Sequence, residues 1–472
     1  MKSIVQSVSH FQGEIGHNLK LYKEKFSHLE YDISSSLAKL NFFKHLNACG
    51  AKKEKGYPLQ PIFFAMILLP FLKKSFCHLW GHPRLPQLQG VGKDVFYDAL
   101  KLRSIHWRRL ILRLVRRVIK LGGETPHKDK LLIADDTTNH KRGKKIELVS
   151  YVRDHALNRT VLGLKHLVLS YFDGKSFLPL DFSIHASSHR PSGSYSKPVD
   201  GRSITGKRRA EANRKKTDVL LEMLQRSYNN GIDAAYVLFD SWFAHPKIII
   251  AIRNIGYDVI CRLARNKTKY YYHGPPYTLK QLYRGFARES LQTIASLSLK
   301  ATTLTVQLAD FQAVTLVFAK ANKSKKWVVF LSTDTNLSAQ EIIETYAKRW
   351  SIELFFKDCK QWLYFGKEQN RDFDAIIAHH SLVFIRYIVI AYILRQKGIY
   401  SVCHTLFEKM ADEIVEQTFA QRVLDYFKLL LCLSIELLSL KIPPEKISQL
   451  LELIDSLIKN MLPVELKIMS ET

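Results

Sequence analysis

With 472 residues and 46% hydrophobic content, the chain can bury a large core and is long enough for two to four structural units, which excludes a disordered protein. Lys and Arg total 71 against 43 Asp and Glu, a formal charge of +28, and a surplus of that size attracts a polyanion: nucleic acid first, an anionic membrane surface second. No apolar run of 18 residues is found, the longest candidate at 61–72 containing Pro70, so a membrane span is not expected.

The start MKSIVQSVSHFQGE has no apolar core followed by a cleavage site, so no secretory signal is read there. Cys49, Cys77, Cys261, Cys359, Cys403 and Cys432 lack paired spacing, which predicts reduced thiols and a cytoplasmic setting. Cys77, His78 and His82 resemble metal ligands, but no second pair follows at zinc-finger spacing, and they read as ordinary residues.

Residues 1–125 carry apolar positions at three- and four-residue spacing and read as a basic helical domain. Within it a turn at Gly90 to Gly92, a helix, a break near Ser104 and then Arg108, Arg109, Arg113, Arg116 and Arg117 permit a helix-turn-helix on duplex DNA; a helical bundle with a basic face reads almost as well. Residues 126–265 alternate strands and helices. A buried strand at 131–134 ends in Asp135 and Asp136, strands 164–172 and 177–184 flank an Asp173-Gly174 hairpin turn, and a helix at 217–230 precedes a strand ending in Asp240. The order predicts a mixed sheet covered by helices. Aspartates where strands run out are common ligand positions and equally common caps.

Between the hairpin and the helix, residues 185–216 are rich in Ser, Gly, Lys and Arg, and read as a mobile basic arm with Lys207, Arg208, Arg209, Arg214, Lys215 and Lys216 available to DNA. Residues 266–334 show alternating runs and read as a β-rich insertion ending in a strand that opens with Trp327. A Ser338 to Glu341 capping box then opens a helix, and 335–398 holds the window YAKRWSIELFFKDCK. At about 100° per residue Tyr346, Arg349, Glu353 and Lys360 fall within roughly a 60° arc. One stripe thus carries a phenol, two cations and a carboxylate, able to grip phosphate oxygens and hold a divalent cation together. Trp350, Ile352, Leu354, Phe355 and Phe356 predict a packed helix around that stripe. His379 and His380 read as structural, and 399–472 as an amphipathic helical region.

The same window resembles the Tyr-x2-Arg-x3-Glu-x6-Lys signature of bacterial cut-and-paste DDE transposases of the insertion-sequence-four family, with every spacing intact. LLIADDTT resembles that family's first-aspartate strand and YVLFDSWF its second, in the right order, and the likeness covers roughly residues 130–395. It implies an α/β fold whose RNase H-like core, a mixed sheet flanked by helices, is interrupted by a β-rich insertion and bounded by helical N- and C-terminal regions. It further implies that Asp136, Asp240 and Glu353 hold two Mg²⁺ ions, with Mn²⁺ as a substitute. Matching the DTT segment selects Asp136, the preferred assignment, whereas a D-x-T reading selects Asp135.

By the same resemblance Tyr346, Arg349 and Lys360 contact transposon-end phosphates, and Trp327 stacks an extruded base, as an indole face can. The implied activity is cleavage at an element's terminal inverted repeats and strand transfer into target DNA, by a homodimer associated with the bacterial nucleoid. The alternatives are another RNase H-like nuclease and a catalytically silent, transposase-derived DNA-binding protein.

Overall fold

The computed structural model describes residues 33–53, 55–71, 91–154, 157–310, 312–322 and 326–396, with the single positions 398, 446, 449 and 453. The Cys77, His78 and His82 group and the expected helical region at 399–472, apart from those single positions, lie outside the described residues. The chain forms two compact units, one of Met1–Lys44, Lys53–Phe96 and Ser401–Thr472, the other of His45–Lys52 and Tyr97–Tyr400. In the first, Ile33–Lys39 is a short helix and Leu59–Leu68 an apolar one, the latter entered from Pro58, whose fixed φ suits a helix start.

The second unit holds all the predicted site residues. Its first long helix, α1 (Trp107–Leu121), buries Trp107, Leu110, Ile111, Leu114, Val115 and Val118, the spacing of a single apolar face. Next come β1 (Leu131–His140), β2 (Ser150–Asp154), β3 (Arg159–Phe172) and β4 (Phe177–His185), then helices α2 (Ile204–Glu211) and α3 (Lys216–Asn229). Strand β5 (Tyr236–Phe239), helix α4 (Pro246–Ile255) and strand β6 (Asp258–Leu263) follow. Short strands β7 (Lys269–Tyr271), β8 (Pro276–Thr278) and β9 (Gln292–Ile294) lead to β10 (Leu299–Gln307), β11 (Ala313–Ala321) and β12 (Trp327–Ser332). Helices α5 (Ala339–Ala347), α6 (Ser351–Gln361) and α7 (Phe373–Gln396) complete the unit.

All twelve strands join one mixed, mostly antiparallel sheet, ordered β2-β3-β1-β5-β6-β12-β11-β10-β7-β8, with β4 on β3 and β9 on β10. Among the described strands the parallel pairings are β1 with β5 and β5 with β6. The insertion strands therefore continue the main sheet through β12, which pairs antiparallel with β6. The hairpin turn is as expected: Gly174 takes φ 78°, and Asp173 accepts hydrogen bonds from the backbone N–H groups of Lys175 (3.1 Å) and Ser176 (2.8 Å). The capping box also forms, Ser338 Oγ accepting from Glu341 N at 3.2 Å while Glu341 Oε2 accepts from Ser338 N at 2.9 Å.

Helix α7, against the expectation that no such run exists, is long and apolar enough to cross a membrane by length and composition, yet 94% of its most apolar window is buried inside the protein. It is a core helix. Phe384 packs edge-on against Phe182 of β4 (5.1 Å) and Phe355 of α6 (5.3 Å), which fastens α6 to the sheet.

Two expectations need correction. Strand β1 does not end at its aspartates but continues to His140, because β3 supplies partners all the way from Leu131↔Phe172 to His140↔Gly163. And the segment before α3 is no free basic arm. Ser203 caps α2, its Oγ accepting from Gly206 N at 3.0 Å, and internal carboxylates draw that helix inward.

Candidate nuclease centre

What does end near the aspartates is the parallel pairing of β1 with β5, whose last register pair is Ile133↔Leu238. Two residues further along each strand, the same offset sets Asp135 level with Asp240. Because side chains alternate across a strand, residues level in a parallel pair face the same side, and Asp136 faces the other. The hydrogen bonds agree. Arg349 Nη1 donates to Asp135 Oδ2 at 2.9 Å and Arg349 Nη2 to Glu353 Oε1 at 2.6 Å, so one guanidinium ties the two carboxylates together. Asp136 instead meets Lys165 (2.7 Å) and the ammonium of Lys216, which also lies 3.8 Å above the Trp242 ring. Of the two aspartates left open by the sequence, Asp135 is the one tied to Glu353 through Arg349, while the preferred Asp136 is engaged by two lysines.

Charge effects follow this division. Burial pushes the Asp135 carboxyl up to about 7, the Arg349 charge opposes the rise, and the neighbouring Asp240 and Asp136 charges add to it. Asp136 is also raised by burial, but Lys216 and Lys165 outweigh that and hold it below its ordinary value. Asp240 stands just past β5, its Oδ1 accepting the Trp242 N–H at 2.9 Å, so a turn fixes the carboxylate's direction.

The window from Tyr346 to Lys360 is helical but not one regular α-helix. A 3₁₀ turn at Lys348–Trp350 separates α5 from α6 and tightens the path where Arg349 sits. Tyr346 packs against Phe330 (5.0 Å), and burial raises its phenol to about 12, leaving a neutral hydroxyl at neutral pH. Lys360 turns inward, its Nζ donating to Thr137 Oγ1 (2.7 Å) and the Thr138 carbonyl (3.1 Å). Ile352, Phe355 and Phe356 are buried as expected, but Trp350 (59% exposed) and Leu354 (51%) are not. Trp350 and Trp242 (43%) thus present indole surface close in sequence to Glu353 and Asp240. Among these residues, Trp350 and Trp242 were missed as functional candidates; an apolar residue one or two positions from a charged motif residue is the only signal the sequence offers.

Trp327 stacks on Tyr283 (ring centroids 4.3 Å, interplanar 13°), and Arg265 lies 5.1 Å from its ring. Lys207 is exposed. Arg208 and Arg209, expected to grip DNA, are buried: Arg208 Nη1 donates to the Phe182 carbonyl at 2.6 Å, and Arg209 bridges Glu147 (2.7 Å) and Asp374 (2.8 Å). Neither guanidinium is therefore presented on a solvated arm, and Arg209 is fully engaged by its two carboxylates. His379 and His380 do sit in the core: His380 meets His166 (3.1 Å) and Glu368 (3.1 Å).

A family model described as DDE superfamily endonuclease matches residues 42–308, more than half of the chain. The chain belongs to that family. Membership makes it a transposase-like nuclease acting on DNA, and the matched span contains Asp135, Asp136 and Asp240 and stops before Glu353. No curated protein matches the chain.

The donor set also suits a divalent cation. Asp135, Asp240 and Glu353 offer only carboxylate oxygens, the ligand type of Mg²⁺. Among the described residues no three His, Cys, Asp or Glu side chains are gathered at metal-holding spacing. Arg349 lies between two of the carboxylates instead, and its own Nε, buried, has no hydrogen-bond partner.

Proposed function

We propose that this DDE nuclease is a cut-and-paste transposase of the insertion-sequence-four type, carrying a Tyr-Arg-Glu-Lys signature at Tyr346, Arg349, Glu353 and Lys360. The observation that carries the reading is the joining of Asp135 to Glu353 through one guanidinium, with Asp240 just past the neighbouring parallel strand and close enough for its charge to act on Asp135. The β4-β3-β1-β5-β6 order, an antiparallel meander followed by two parallel strands, supports an RNase H-like core.

Asp135, Asp240 and Glu353 would hold two Mg²⁺ ions. Bound there, the metals would lower the pKa of a nucleophilic water or 3′-OH and stabilise the departing oxygen of an in-line displacement. The protein's own part is positional. Buried β1 and β5 fix two carboxylates, Trp242 N–H orients Asp240, and the 3₁₀ turn aims Arg349. Arg349 exchanges its carboxylate partners for a DNA phosphate, a switch its planar five-donor fork suits. Lys360 and the neutral Tyr346 hydroxyl supply further phosphate contacts. Exposed Trp350 and Trp242 offer base-stacking faces, and a flipped base displaces Tyr283 from Trp327.

Within this reading the 1–125 region reads terminal repeats, 126–265 and 335–398 form the catalytic core, and 266–334 is the insertion. Two protomers pair two DNA ends near the nucleoid.

Glu353→Ala should abolish cleavage of a terminal-repeat duplex in Mg²⁺ while leaving duplex affinity within about threefold, because binding rests on phosphate contacts elsewhere. Undiminished strand transfer by that variant would sink the assignment. Cleavage by the wild type with no joining in a paired-end integration assay would instead identify a nicking nuclease of the same fold.

A further inference from the structure

In the second unit, the segment entering α1, the first turns of α2 and the start of α7 enclose a cavity of about 150 Å³. Four of its lining side chains are cations: Arg108, Arg202, Lys207 and Arg208. Its one carboxylate, Asp374, is already held by Arg209 (2.8 and 3.0 Å) and Arg103 (3.2 Å), so it offers little to offset them.

The charge beneath the cavity is unbalanced in the same sense. Asp181 is shared between Arg108 (2.5 Å) and Arg226 (2.9 Å), and Glu211 accepts from Arg108 at 2.8 and 3.0 Å. Arg208 is left with a carbonyl at 2.6 Å and a longer 3.5 Å approach to Glu211. Arg226 has Glu222 as well (3.8 Å), so of the three guanidiniums Arg208 is the least compensated. A buried charge in that position is costly unless another anion completes its surroundings. Burial and the adjacent Arg108 accordingly push Arg208 down to about 9.

Neutral donors complete the lining. Burial and Arg108 lower the His106 pKa, and its Nδ1 accepts the Arg109 N–H at 3.3 Å, which leaves the proton of the neutral ring on Nε2. Thr205 adds a hydroxyl. Arg202 and Lys207 are exposed, so the cavity is approached past two cations. A tetrahedral oxyanion fits a space of that size.

We propose that this cavity is a phosphate-binding site, distinct from the carboxylate centre, in which Arg208, Arg202 and Lys207 take up one phosphate group. The group comes from the backbone of bound DNA or from free phosphate, and both present the same oxygens to the site.

The test uses the full chain and needs no cleavage, so its outcome is separate from that of the transposase reading. Thermal unfolding is followed against inorganic phosphate, with chloride at matched ionic strength as the control, for wild type, the Arg202→Ala/Lys207→Ala double variant and Arg208→Gln. Phosphate should raise the wild-type Tm above the chloride control, with at least a tenfold loss of apparent affinity in the double variant. Should Arg208→Gln fail to fold, the double variant, altered only at exposed positions, still decides the matter. In the DNA arm, a salt slope shallower by about 1 to 2 in the double variant assigns the site to backbone phosphate. An unchanged slope with the phosphate response lost assigns it to free phosphate. No phosphate-specific rise in the wild type, or a rise undiminished in the double variant, overturns the proposal.

Discussion

Asp135→Asn is expected to reduce DNA cleavage by at least about 1,000-fold, equivalent to roughly 4 kcal/mol of lost transition-state stabilisation, while Asp136→Asn should stay within about tenfold of wild type. The difference comes from the two faces of β1. Asp135 is level with Asp240 and shares Arg349 with Glu353, so amidation removes one of the charges around which a cation would sit. Asp136 is engaged by Lys165 and Lys216, and its loss leaves two largely buried ammonium groups without their counter-charge. That variant should therefore lose stability, by about 1–3 kcal/mol, rather than chemistry. Cleavage rates and melting curves on the same pair of proteins settle the matter; an inactive Asp136→Asn beside an active Asp135→Asn would reverse the assignment.

The second large effect falls on stability. Arg209→Ala should cost about 3–5 kcal/mol, because it strands Glu147 and Asp374, carboxylates that are 0% and 5% exposed at their side chains, in the interior. Glu147 would retain the N–H groups of Lys197 and Phe373, and Asp374 would keep Arg103, so the network is weakened at its centre rather than removed. A fall in Tm of roughly 5–15 °C is expected. The triple change Arg209→Met, Glu147→Gln, Asp374→Asn should recover most of it, since no buried charge then lacks a partner. If Arg209 served DNA instead, Arg209→Ala would weaken duplex binding and leave Tm unchanged.

Both predictions lie on the line between what could and could not be read along the chain. The Asp173-Gly174 hairpin, the Ser338 capping box and the apolar periods of the helices are local patterns, carried by residues a few positions apart, and they were legible. The 3₁₀ turn at Lys348–Trp350 was not, because three residues of tighter winding leave the polar spacing of the window intact. Nor was the exposure of Trp350 and Leu354, which depends on where α7 and the sheet stop covering α6. The basic segment before α3 misled most. Its composition is that of a solvated arm, and contacts distant in sequence, Glu147 and Asp374 for Arg209 and the Phe182 carbonyl for Arg208, make these two interior residues.

The sequence by itself determined the kind of chemistry on offer: a large positive excess, two aspartate-bearing strands, and a glutamate spaced with an arginine and a lysine on a helical path. Those are properties of residue type and short spacing. The tertiary structure decided which partners each aspartate meets and which cations are buried. Adjacent strand residues face opposite sides, so the choice between Asp135 and Asp136 turns on the register of β1 against β5, about a hundred residues later in the chain. A cation's availability likewise turns on whether folding brings a buried carboxylate to it, and that partner can come from any part of the chain.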